Sequence, residues 1–167
     1  MSFRALFDHV QGISLHVKRN DIRDKIVELT GVDKIAFVRS GLDTSICRGY
    51  WITPQNRDHP SVMMHLFDTE EQKVRGAEAM NKLLAEFLSS SSPKVPFSPQ
   101  FASEIDSFWQ ALAVLCPQTF RERFRKELDQ GKTDHYGIAL KLRIPEAYVP
   151  RLFEDRFDEW LSSKGCI

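Results

Sequence analysis

Residues 34–67 read KIAFVRSGLDTSICRGYWITPQNRDHPSVMMHLF, and how that stretch is folded decides the class of the whole chain. KIAFV (34–38) is a short apolar run that ends at the turn signal SGLD. ICRGYWIT (46–53) and SVMMHLF (61–67) are two further short runs rich in β-branched, aromatic and apolar residues, separated by the polar loop PQNRDHP. Two such runs across a polar loop predict an antiparallel hairpin, although a seven-residue loop leaves its register open.

Working outward toward the N-terminus, ISLHV (13–17) reads as another strand. Asn20 or Asp21 is placed to cap a helix carrying Ile22, Ile26 and Leu29, with Gly31 suited to a left-handed exit. Toward the C-terminus, Thr69 with Gln72 has capping-box spacing ahead of EEQKVRGAEAMNKLLAEFL. Val74, Ala77, Met80, Leu84, Phe87 and Leu88 form its apolar stripe, expected to lie across the sheet. The expected fold class is therefore α+β: a small, mostly antiparallel N-terminal sheet with two helices, followed by an all-helical subdomain.

The division falls at SSSSPKVPFSPQ (89–100), where four consecutive serines and three prolines interrupt the helical pattern. The expected organisation is an α+β domain over 1–90, a Ser/Pro-rich linker over 91–100 and a helical subdomain over 101–167. In the last part, Ser103 with Asp106 opens a helix that Pro117 stops. Thr119 with Glu122 opens FRERFRKELDQ, which closes at Gly131.

The chain has 167 residues, with 23 lysine and arginine against 23 aspartate and glutamate, so no global field favours nucleic acid or a membrane surface. No apolar run approaches the ~20 residues of a membrane span. The three cysteines, Cys47, Cys116 and Cys166, are odd in number and widely spaced. That pattern, with no secretory-signal pattern at the start, points to a reduced, cytoplasmic protein.

The motif that most invites a functional reading is HYGIALKLRIPEAYVPRLFEDRF (135–157). Ile138, Ala139, Leu142, Ile144, Val149 and Leu152 have the apolar spacing of a helix-turn-helix, and Asp134 is placed to cap its first helix. Arg143 stands where the turn usually carries glycine. Pro150 would fall inside the second helix, at a cost of about 3 kcal/mol. The simpler reading starts one turn at Pro145 and a new helix at Pro150. The exposed side would offer Glu146, Ala147, Tyr148, Arg151, Glu154 and Asp155, not a base-reading set. Residues 101–167 hold ten basic and eleven acidic side chains, a net of −1, so phosphate attraction is also missing.

Other candidate chemistry is sparse. On the assumed hairpin register Cys47 lies diagonally from His65, which would make a thiol–imidazole pair for nucleophilic catalysis. Neither an orienting third residue nor an oxyanion feature accompanies it, and Trp51, Met63 and Phe67 share its face. No metal-ligand spacing, HExxH, CxxC or phosphate loop is present, so no cofactor is expected. In FRERFRKELDQ the pairs Glu122–Lys126, Arg123–Glu127 and Arg125–Asp129 balance, which leaves Arg121 without a local partner. In the last helix Phe153, Phe157 and Trp160 belong to an apolar arc broader than one buried face needs.

These features predict a non-enzymatic binding protein of the regulatory, adaptor or inhibitory kind, a kind found also on bacterial mobile elements. It would act on a protein partner or a second copy of itself through Phe153, Phe157, Trp160, Arg121 and Arg151. A helix-turn-helix regulator using 134–153 is the second expectation, and a cysteine-dependent hydrolase or transferase using Cys47 and His65 the third.

Overall fold

The computed structural model describes residues 3–31, 64–74, 76–89 and 98–167. Among them are seven α-helices: α1 (Phe3–Gln11), α2 (Arg19–Thr30), α3 (Gly76–Ser89), α4 (Pro99–Leu115), α5 (Gln118–Asp129), α6 (His135–Leu142) and α7 (Asp155–Ser163). Short 3-10 turns occupy His65–Phe67, Glu146–Tyr148 and Pro150–Phe153. No strand occurs among the described residues. The expected α+β class, with its antiparallel sheet, is thus corrected to a helical architecture; KIAFV (34–38) and residues 46–63 of the proposed hairpin lie outside the described residues.

Two described segments show why period-two patterning misled. In ISLHV, Val17 is buried and Ile13 and Leu15 are half-buried, while Ser14 and His16 are exposed. The alternation correctly sorts inward from outward side chains, but the segment is an unpaired connection between α1 and α2. Alternating burial does not require a partner strand. In SVMMHLF, Met64 is fully buried and His65–Phe67 form a 3-10 turn. There the Asp68 carboxylate meets the His65 ring three residues back. Side chains at i and i+3 converge on a turn and diverge on a strand.

Helix boundaries shift for local reasons. The Thr69 amide donates to the Gln72 side chain at 2.8 Å, so the capping-box contact is made, but it closes only an isolated turn. Gly76, at φ +81°, is the first residue of α3 and sets its start seven residues beyond Thr69. At the next start, Ser98 accepts from the Phe101 amide and Pro99 occupies the first turn, where its missing N–H costs nothing. Hence α4 begins at Pro99, inside the expected linker, and Ser103 is an interior residue. The expected Thr119 cap is also displaced: α5 begins at Gln118, whose amide is taken by the Gln11 side chain of α1 at 2.8 Å. Lys18, not Asn20 or Asp21, precedes α2. Gly31 does end that helix in the left-handed conformation, its amide on the Val27 carbonyl at 2.9 Å.

One apolar core joins the described N- and C-terminal segments. Leu6 and Val10 of α1, Ile22 and Ile26 of α2 and Met64 are fully buried with Val114, Phe124, Ile138, Leu152, Phe157 and Leu161. Trp109 of α4 stacks on Phe157 of α7 with centroids 5.3 Å apart. No helix among the described residues is long and apolar enough to cross a membrane.

Candidate functional site

His65 is the one member of the expected thiol–imidazole pair that lies among the described residues; Cys47 lies outside them. The 3-10 turn aims its ring at α4. Nδ1 is 2.7 Å from Asp68 Oδ2 and 3.2 Å from each of the Ser103 and Ser107 hydroxyls. Nε2 faces Glu104 Oε1 at 3.5 Å. Burial, the largest single influence, opposes the charged ring. The hydrogen bonds to Asp68 and Glu104 and their charges together outweigh it, and the imidazole pKa rises from 6.5 to about 9.

At neutral pH this histidine is therefore an imidazolium and not a base. Asp68 and the two serines share Nδ1, while Glu104 holds Nε2, so both ring nitrogens face a carboxylate and neither is left to take a proton from a serine hydroxyl. Ser103 and Ser107 are also 1% and 2% exposed, out of reach of a substrate. The cluster is a clamp that fastens residues 64–68 to α4. The partners expected from the sequence differ because Ser103, Glu104 and Ser107 lie about forty positions from His65 and only the fold assembles them. The remaining described thiols are quiet: burial pushes Cys116 up to about 12, against a smaller lowering by Arg121, and burial also raises Cys166. Among the described residues no His, Cys, Asp and Glu group could hold a metal.

Arg121, 4% exposed, is a structural tie. It donates to the Leu152 carbonyl at 3.0 Å and to Gln118 at 3.1 Å, pairs with Asp158, and lies over the Phe157 ring at 5.1 Å. Arg125 reaches the same carboxylate at 3.2 Å instead of Asp129. Burial raises the Asp158 pKa, but hydrogen bonds and charge from Arg121 and then Arg125 overcome it and hold the carboxyl below its ordinary value. The local spacing rule left Arg121 alone because its partner is on α7, 37 residues on.

The other expected contact residues are placed variously. Phe157 is fully buried. Phe153 is half-buried under the Arg125 guanidinium. Trp160 is half-buried, with its indole N–H on Asp106 at 2.8 Å and its ring 5.8 Å from Phe3. Arg151 is exposed and pairs with Glu154 at 2.7 Å. The broad arc of the last helix is thus explained largely from within: α1 and α4 face it from different sides.

In the 134–153 segment, Asp134 caps α6 by accepting from the Gly137 amide at 2.7 Å. Ile138, Ala139, Leu142, Ile144, Val149 and Leu152 are all buried, as their spacing predicts. Arg143 ends α6 in the left-handed region at φ 57°. Pro145 precedes one 3-10 turn and Pro150 starts another, so no continuous second helix follows the turn.

Two apolar surfaces were not foreseen. On α3 only Leu83 is buried among the side chains described, while Met80, Leu84 and Phe87 are 39%, 40% and 44% exposed on one face. The helix meets α4 by an edge, through Phe87 against Phe101 (4.8 Å) and Ser98 on Glu86 (2.5 Å). The expected burial of that stripe under a sheet is corrected accordingly. On α6, Tyr136 and Leu140, four residues apart, are exposed. Comparison of the chain with protein families, curated proteins and solved structures finds no match to any of them.

Proposed function

We propose that the protein acts by binding another protein and not by catalysis, as a regulatory, adaptor or inhibitory component. The observation that carries this reading is the α3 face, where Met80, Leu84 and Phe87 are each about two-fifths exposed on a helix whose described side chains include only one buried residue, Leu83. Large apolar side chains grouped on one face of a helix are the material of helix-in-groove and helix-on-helix contacts. The titratable cluster at His65 supports the same reading, since its ring is charged and paired with two carboxylates and its serine hydroxyls are buried.

The test compares wild type with Leu84→Glu and Met80→Glu in copurification from the native host, with circular dichroism as the folding control. Both positions are more than one-third exposed, so the fold should tolerate them. A specific copurifying protein lost in both folded variants supports the reading; retention in both overturns the assignment to α3. A DNA-reading alternative retains one favourable observation, the buried helix-turn-helix spacing of 138–152. A labelled-duplex titration at about 0.15 M salt checks it, and no specific site is expected there.

A further inference from the structure

An open groove runs between the 13–17 connection, α5 and α6, lined by Leu15, His16, Arg123, Leu140 and Lys141. Its apolar lining is aliphatic: Leu15 packs half-buried against the core, and Leu140 projects beside it, 59% exposed. Two cations form its rim and share one carboxylate. Arg123 pairs with Glu127 Oε1 at 3.4 Å and Lys141 with Glu127 Oε2 at 3.2 Å. Aromatic rings hold both in place: Arg123 lies over Phe120 and Phe124 at 5.2 and 5.5 Å, and Lys141 over Phe124 at 5.4 Å. About half of each cationic side chain remains exposed. Among these three groups one positive charge is left uncompensated.

We infer that this groove binds a peptide segment of a partner protein in which a large aliphatic or aromatic side chain is flanked by acidic residues. The apolar side chain would lie on Leu15 and Leu140, and a neighbouring carboxylate would complete the half-neutralised Arg123–Lys141 pair. Charge complementarity chooses the sign of the partner, and the aliphatic lining chooses a peptide over nucleic acid. A phosphate backbone needs several cations along a track, whereas this rim supplies one net charge beside aliphatic carbon. The inference rests on the protein-contact reading above and names a second face for it, separate from α3.

The experiment selects a phage-displayed random dodecapeptide library on the full chain, then measures the enriched peptides by fluorescence anisotropy. The expected result is enrichment of leucine, isoleucine or phenylalanine next to glutamate or aspartate. Affinity should fall about tenfold in Leu140→Ser and by a similar factor in the double variant Arg123→Gln with Lys141→Gln, the latter loss shrinking at high salt. All three positions are exposed, and circular dichroism confirms folding. Peptides without acidic bias, or binding unchanged by both variants, overturn the groove. If those peptides are instead lost in Leu84→Glu, the groove fails while protein binding through α3 stands. No enrichment on the folded chain overturns the groove. A labelled duplex that binds tightly, and loses affinity in the double glutamine variant, also overturns it and assigns the cations to nucleic acid.

Discussion

His65 gives the fold a measurable dependence on alkaline pH. The free imidazole titrates near 6.5 and the folded one near 9, so between those values the native state holds a proton that the unfolded chain has released. Stability therefore falls as pH rises through this window, with a slope approaching ~1.4 kcal/mol per pH unit. The contribution is fully present below about 6.5 and is gone once pH passes well above 9. The interval corresponds to roughly 3 kcal/mol, at ~1.36 kcal/mol for each pH unit. The His65 side chain is 25% exposed, so solvent screening removes only part of it.

Urea unfolding followed by tryptophan fluorescence at pH 6, 7, 8 and 9 measures the trend. Lysine and tyrosine titrations also enter near the top of this range, so the useful quantity is the difference between wild type and His65→Gln. Glutamine keeps a hydrogen-bond donor toward the Asp68 and Glu104 carboxylates but carries no proton to lose. Wild type should be the more stable protein at pH 6, and its advantage should shrink by about 2–3 kcal/mol by pH 9. A direct NMR titration of the His65 ring gives the second readout. A midpoint near 6.5 in the folded protein, or a wild-type advantage constant across the series, refutes the argument that Asp68 and Glu104 overcome burial.

Arg143→Gly should raise stability, because a side chain in the left-handed region costs about 1–2 kcal/mol and glycine returns only part of that as unfolded-state entropy. A net gain of about 0.5 kcal/mol in urea unfolding is expected, and a loss would mean the Arg143 side chain makes a stabilising contact. A protease site introduced within 91–97 and cut should leave fragments that co-elute in size exclusion without denaturant. The reason is that Phe3, Leu6, Val10 and Ile22 share a core with Trp109, Phe124 and Phe157. Separation of the fragments at micromolar concentration would instead support independently folding units over 1–90 and 101–167.

The legible parts of this sequence were those decided within one turn of chain. Gly31 as a left-handed helix end, Asp134 as a cap, Pro117 as a stop and a break between Pro145 and Pro150 all rest on local stereochemistry and are found there, although Pro150 starts a 3-10 turn and the last helix begins only at Asp155. What failed needed information from elsewhere. ISLHV has the right faces in and out, but whether an alternating segment pairs depends on a neighbour the segment does not encode. The stripe of α3 has helical spacing whether or not anything covers it, so periodicity identified the helix and could not supply the missing sheet. Arg121 looked unpaired because only i,i+4 partners can be counted from a sequence, and its carboxylate sits on another helix.

The 134–157 stretch has an inner and an outer surface of different character. Its inward residues are those a helix-turn-helix needs, and the fold buries every one of them. Buried spacing, however, specifies only how two short elements pack and is silent about what their outer faces meet. The outward residues carry that information. Arg151 is engaged by Glu154, an acidic neighbour that lowers the field a phosphate would feel. Tyr136 and Leu140, by contrast, are apolar groups held in water with the Arg123–Lys141 rim beside Leu140. A surface of that composition gains most from an apolar contact with a carboxylate at its edge. The groove test therefore probes the outer half of a motif whose inner half already obeys its spacing.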